Sequence, residues 1–305
     1  MKRCIRIWLG LGWLLAGGAV WAGPNDIVVF SAFDYETTHN RRVVAEIGER
    51  LGSARILGVP VERYRVGGKV VHVTETGISM VNAAMMTQAV IDRLRPSAIV
   101  FAGIAGGINP DFGPGDVLVP QRWFHHSEAA YLNPDPKRPG KYIVPHPADF
   151  RVRYPNFGMM FPNNVGVIRE GQKRRQEKAF FEVDSGLLRL AGQVVKGVEF
   201  DPILERPVKI KVGGRGVAGP VFVDNAEYRN FVFRTWKADV LDMESTAIGQ
   251  VCWVNRTPFL IIRGISDLAG GQKGQNEEVL YGPAAARHAA QWMGALIAAM
   301  GKGTR

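Results

Sequence analysis

The segment NDIVVFSAF (25–33) is an unbroken apolar and β-branched run, which reads as a buried strand. DYETTHNRRVVAEIGERLG follows it with apolar residues at helical spacing, predicting a helix that ends at Gly52. KVVHVTETG (69–77) predicts a second strand. SMVNAAMMTQAVIDRLRP (79–96) predicts a helix that Ser79 is placed to cap and Pro96 to stop. SAIVFAGIAGG (97–107) reads as a buried strand entering a glycine turn, and GDVLVPQRW (115–123) as a further strand. Strands alternating with helices imply an α/β fold with a parallel or mixed sheet.

Residues 124–207 break this pattern. They are rich in Pro, Asn, Arg and Lys and predict an elaborated loop region, with one helical stretch at 183–197. The α/β pattern resumes with VKIKVGGRGVAGPVFV (208–223), a helix beginning after Met243, and the strand FLIIRGISD (259–267). An amphipathic helix over 284–301 closes the chain. No repeat or clean linker divides the sequence, so residues 23–305 are expected to form one domain carrying the 124–207 insertion.

The first 22 residues read differently. Lys2, Arg3 and Arg6 precede an apolar stretch from Ile7 to about Val20, and Val-Trp-Ala then supplies a small-x-small cleavage signal ending at Ala22. The stretch is short and interrupted by glycine, which argues against a membrane span and for a cleaved leader. A periplasmic or secreted location with no stable membrane anchor follows as the expectation. Cys4 would leave with the leader, so the mature chain keeps only Cys252 and can form no internal disulfide. Of the formal charge of +10, the leader carries three positives, leaving +7. The one dense basic cluster, REGQKRRQEK (169–178), has two glutamates and no interleaved aromatics, so no nucleic-acid partner is expected.

Three acids carry candidate chemistry. Glu36, Glu244 and Asp267 each stand just past the predicted carboxyl end of a strand, where open α/β sheets bind ligands. On spacing alone, each also suits the first turn or cap of the next helix. Three carboxylates in one crevice would suit group transfer at an anomeric carbon, with one acid protonating the leaving group, one activating water and one holding sugar hydroxyls. Glycines in AGIAGG (102–107) would let backbone approach a ligand closely. Arg263, within a buried strand, needs an internal acid, either Asp242 or Glu244. His125 and His126 are adjacent and cannot both face one metal from a strand, so they are read as loop or edge histidines. His39 is read as a solvated helix residue.

TGISMVNAAMMTQAVIDRLRPSAIVFAGIAGGINPDFGPGDVLVP (76–120), together with DMESTAIGQVCWVNRTPFLIIRGISD, resembles the purine and uridine nucleoside phosphorylase superfamily. Within it, the resemblance is to the 5′-methylthioadenosine/S-adenosylhomocysteine nucleosidases. It implies a three-layer α/β/α fold around a central mixed, mostly parallel sheet. By that resemblance, Glu36 activates water, Glu244 binds the ribose 2′ and 3′ hydroxyls, and Met243 packs against the sugar. Asp267, oriented by Ser266, donates to purine N7; protonation there demands a carboxyl that keeps its proton in a water-poor pocket. GPVFVDN (219–225) resembles the base-binding strand, with Phe222 stacking on the purine and Val223 meeting its edge. Ala105 and Gly106 line the side from which the nucleophile comes. The resemblance implies no metal or organic cofactor, a small-molecule nucleoside substrate, and a homodimer or higher homo-oligomer whose neighbouring subunit helps close the 5′ side.

The resemblance alone admits a hydrolase, a phosphorylase, or a binding protein that kept the fold. Phosphate needs cationic donors. The sequence has VFAGIAGG where phosphorylase relatives carry an arginine before the glycine turn, and SAFDYET where they carry a glycine-and-arginine phosphate loop. An acid beside the nucleophile favours water over an anion. Ile104 stands where the nucleosidases often have a small hydroxyl residue, and the 124–207 region is longer than theirs, so the 5′ preference is left open.

Overall fold

The computed structural model describes residues 26–145, 151–169 and 171–302. The leader expected over 1–22 lies outside the described residues. β1 (Ile27–Ser31) is fully buried and feeds α1 (Asp34–Ile47). The first helix is therefore shorter than its spacing predicts. Gly48 ends it, where a Cβ would stand 2.7 Å from the Arg65 carbonyl oxygen. β2 (Glu49–Ile56) and β3 (Val59–Val66) follow as a hairpin, of which the helical reading took in only residues 49–52 and left the rest unassigned. Leu57 and Gly58 both have positive φ, the geometry of a tight two-residue turn whose twist suits a hairpin. Gly67 and Gly68 turn the chain again into β4 (Lys69–Glu75).

α2 (Met80–Leu94) leads to β5 (Ala98–Gly107), the long central strand. The strand expected over 115–123 is two, β6 (Val117–Val119) and β7 (Arg122–His125), separated at Pro120, which has no N–H to give a ladder. The 124–207 region holds short ribbons rather than bare loop: β8 (Ala129–Tyr131), β9 (Met160–Pro162), β10 (Val165–Val167), β11 (Gln176–Lys178) and β12 (Phe180–Glu182). It also holds α3 (Ser185–Val194), capped by the Asp184 side chain. β13 (Ile210–Val212), β14 (Arg215–Ala218), α4 (Ala226–Trp236), β15 (Val240–Asp242), α5 (Ser245–Asn255), β16 (Phe259–Asp267) and α6 (Glu278–Gly301) complete the chain. α6 starts six residues before the expected position and carries Pro283 in its second turn. The carbonyl that loses its bond there belongs to Val279, which is 90 % exposed.

The sheet is mixed. Its centre, β4-β1-β5-β16, is parallel, whereas β15 meets β5 and β6 meets β16 antiparallel. α1, α3 and α6 pack together on one side and α2 packs with α5, giving the three layers of an α/β/α fold. No helix of the described residues is long and apolar enough to cross a membrane.

Helix α6 lies so close to β16 that a Cβ on Gly264 would stand 2.1 Å from the Ala285 carbonyl oxygen. Gly264→Ala should therefore destabilise the fold by about 1–3 kcal/mol, the usual cost of overpacking. A lower urea midpoint at unchanged slope would show this; an unchanged midpoint would mean the helix shifts freely.

Candidate active site

The carboxyl ends of β1, β5, β14, β15 and β16 converge on one cavity of about 400 Å³. That volume fits a nucleoside-sized ligand. All nine residues singled out from the sequence line it: Glu36, Ala105, Gly106, Phe222, Val223, Met243, Glu244, Ser266 and Asp267. Phe33, Ile78, Ile104 and Glu278 complete much of the remaining wall.

Glu36 lies in the first turn of α1 but points inward. One carboxylate oxygen accepts from Ala32 N at 2.7 Å and the other from Ile104 N at 2.7 Å. This is possible because residue 103 is glycine; a Cβ there would stand 2.2 Å from Glu36 Oε1. Burial pushes Glu36 up to about 7, against the pull of Arg263 and the two backbone donors.

Glu244 occupies the cap position of α5, yet its side chain caps nothing. Asp242 does that work, accepting from Glu244 N at 3.1 Å and Ser245 N at 3.0 Å. Glu244 is thereby free to face the cavity, and one oxygen accepts from Ser79 N at 2.7 Å. Ser79 itself has φ 81 and makes no side-chain cap for α2, contrary to its sequence reading. Burial and the nearby Asp242 push Glu244 up to about 8.

Arg263 settles between the two acids that the sequence left open for it. Its Nε donates to Asp242 Oδ2 at 2.7 Å, while Glu244 Oε2 is 3.8 Å from Nη2 and Glu36 Oε1 3.9 Å from Nη1. The guanidinium is fully buried and stacks over Phe101, 3.7 Å from the ring centroid. Its Nη1 has no hydrogen-bond partner and lies on the Glu36 side.

Asp267 ends β16. Its Oδ2 accepts from Ser266 Oγ at 2.7 Å and its Oδ1 from Ala269 N at 2.7 Å, closing a tight turn rather than capping a helix. Phe222 and Val223 lie on a loop after β14, not on a strand, because the ladder with β15 ends at Ala218. Phe222 is 59 % exposed, which leaves a ring face free for a ligand. His125 ends β7 and pairs with Gln250, but His126 is wholly buried and bonds Tyr228 through Nδ1, so the edge reading does not hold for it. His39 and Arg263 are not on the cavity wall. Asp242 and Glu278 are, and the sequence reading assigned neither to the site; no local spacing distinguishes them from ordinary turn acids.

A family model described as the phosphorylase superfamily matches residues 26–300. The 5′-methylthioadenosine/S-adenosylhomocysteine nucleosidase of Staphylococcus saprophyticus is 30% identical over 222 residues, covering 72% of this chain and 78% of its own. That of Tolumonas auensis is 28% identical over 231 residues, covering 74% and 82%. Among solved structures, the futalosine hydrolase of Helicobacter pylori has a TM-score of 0.67 at 19% identity, covering 90% of this chain and 97% of that one. The Neisseria meningitidis 5′-methylthioadenosine/S-adenosylhomocysteine nucleosidase in complex with methylthio-immucillin-A has a TM-score of 0.67 at 21% identity, covering 90% and 99%. The two structural likenesses are of fold.

The raised acids couple the site to stability. Glu36 holds its proton more tightly folded than unfolded, where its ordinary value is 4.5. Its contribution is fully present below that value and is lost as pH rises toward about 7. Glu36→Gln should therefore gain stability relative to wild type between pH 5 and 8, by up to about 3 kcal/mol. Paired thermal melts across that range measure the difference, and a constant gap would refute it.

Proposed function

The chain belongs to the phosphorylase superfamily, and on that footing we propose that it is a nucleosidase. It hydrolyses the N-glycosidic bond of adenine nucleosides and thionucleosides, such as 5′-methylthioadenosine or S-adenosylhomocysteine, and releases adenine. The nucleosidases among its relatives support the reaction class. One observation carries the choice of water over phosphate: the carboxylates Glu36, Glu244 and Asp267 line the cavity, and no lysine or arginine of the described residues stands on its wall. A water in the cavity can give its proton to the Glu36 carboxylate, which lines the wall. A phosphate dianion would instead lie against Glu36, with Glu244 and Asp267 also on the wall.

In this mechanism, the purine stacks on Phe222 with its edge at Val223. Asp267, positioned by Ser266, delivers a proton to N7, and the C1′–N9 bond breaks with its electron pair leaving on the base. The developing ribosyl cation is stabilised by the surrounding carboxylates. Glu244 accepts from the ribose 2′ and 3′ hydroxyls, with Met243 against the sugar. Water adds to C1′ as Glu36 takes its proton. Ala105 and Gly106 keep the nucleophile side narrow.

Purified protein should release adenine from 5′-methylthioadenosine at the same rate with and without phosphate. Strict phosphate dependence would make it a phosphorylase, and tight binding without turnover a binding protein. Asp267→Asn and Glu36→Gln should each lower kcat by about 10²–10⁴-fold, the usual worth of a positioned acid or base, while the far-ultraviolet spectrum stays unchanged.

We further propose, from the sequence of residues 1–22, export to the periplasm or exterior, and from the family resemblance, a single domain from residue 23 that works as a homodimer. Mass spectrometry of the exported protein should find Gly23 at the N-terminus, and sedimentation should give twice the chain mass. Retention of residues 1–22, or a monomer, would overturn the respective parts.

A further inference from the structure

Apart from the residues assigned to base, ribose diol and water, the lining includes two apolar side chains and one further acid. These are Phe33, Ile78 and Glu278, the last in the first turn of α6. Glu278 forms no salt bridge with a described residue. Its Oε1 accepts from Tyr35 Oη at 3.2 Å. That hydroxyl is built into place. Tyr35 packs edge-on against Phe33, with ring centroids 4.5 Å apart, and a Cβ on Gly282 would stand 2.7 Å from the hydroxyl oxygen. Burial, then the neighbouring Glu278 and Glu36 carboxylates, push the Tyr35 phenol upward, so it remains a donor. The phenol occupies one acceptor site of a carboxylate whose residue lines the cavity.

This corner has no role in holding base, ribose diol or water. The base belongs with Phe222 and Asp267, and the ribose diol with Glu244, which is anchored through Ser79 next to Ile78. Glu36 is held by Ala32 N and Ile104 N and is assigned to the water. What is left of a nucleoside to meet Phe33, Ile78 and Glu278 is the substituent at C5′.

We propose that Glu278, oriented by Tyr35, is a specificity-determining residue that accepts a hydrogen bond from a donor at C5′ of the substrate. It thus selects 5′-hydroxyl nucleosides over those with an apolar 5′-thioether. The inference rests on the nucleosidase reading and narrows it. A 5′-hydroxyl makes a charge-assisted hydrogen bond to the carboxylate. A methylthio group would desolvate the same carboxylate and give it nothing in return, and sites built to bond a substrate hydroxyl reject the analogue lacking it for that reason.

The experiment measures kcat/KM and the equilibrium Kd for adenosine and 5′-methylthioadenosine with wild type, Glu278→Gln and Glu278→Leu. Wild type should favour adenosine. In Glu278→Leu, the preference for adenosine should fall by about 10- to 100-fold, the range for a hydrogen bond to a charged group, with 5′-methylthioadenosine handled better than before. Glu278→Gln keeps an acceptor and should fall between the two. A wild type that favours the thioether, or a ratio that Glu278→Leu leaves unchanged, overturns the proposal. If no variant cleaves either nucleoside, the nucleosidase reading fails, while the ratio of Kd values still decides the role of Glu278.

Discussion

A single buried guanidinium governs the site. Arg263 sits in the middle of β16, opposite Gly103 on β5 and Leu118 on β6, with no exposed surface. Burying such a charge is tolerable only with a close, well-bonded counter-ion, and Asp242 supplies one at 2.7 Å from Nε. The register requires glycine across from it, since a Cβ on Gly103 would stand 2.5 Å from Nη1. The strand pairing, the glycine turn and the ion pair are therefore one constraint. One cation faces three carboxylates, and the shortfall in positive charge, added to burial, fits the upward displacement of Glu36 and Glu244.

The same ion pair positions the sugar-side acid. Asp242 spends its remaining acceptor capacity on Ser245 Oγ and on the first backbone N–H groups of α5. Glu244, relieved of capping, turns to the cavity and reaches Ser79 N across the start of α2. Ser79 holds a positive φ that costs a non-glycine residue on the order of 1–3 kcal/mol, and its bond to Glu244 is part of what maintains it. Loss of Arg263 would thus free Asp242, loosen the α5 cap and displace Glu244 together.

Sequence patterning reveals the strands that carry continuous apolar runs, β1, β5 and β16, and the acids that follow such runs. It fails where the signal is shared or distant. The β2–β3 hairpin was hidden because VVAEIGERLG continues a helical spacing past Gly48, and only the two-residue turns at Leu57-Gly58 and Gly67-Gly68 betray it. Helix α6 begins before its apolar spacing does because its first turn is largely exposed, with Val279 and Leu280 facing solvent, and Pro283 is tolerated there. The choice of Asp242 as the partner of Arg263 depends on the meeting of β15 and β16 through β5, which no local window contains. Glu278 was invisible for the same reason: only the fold brings Tyr35, more than two hundred residues away, to its carboxylate.

The 124–207 region acquires a place in this scheme through the loop that bears Phe222. A second cavity, of about 660 Å³, shares the Val221–Phe222–Val223 wall and is lined also by Tyr131, Phe157 and Met160 of that region and by Asp224, Asn225 and Tyr228. The loop is pinned at its start, where Gly219 fits against His126 and Ser127 with no room for a side chain. It is pinned at its end by Asn225 N bonding to Ala269 O, and Ala269 N in turn bonds Asp267 Oδ1. The stacking ring and the proton-delivering acid are therefore tied by two consecutive hydrogen bonds. A change in the insertion that moved His126 or Tyr228 would reach Phe222 directly and Asp267 only through that link, so it should disturb base binding before it disturbs chemistry.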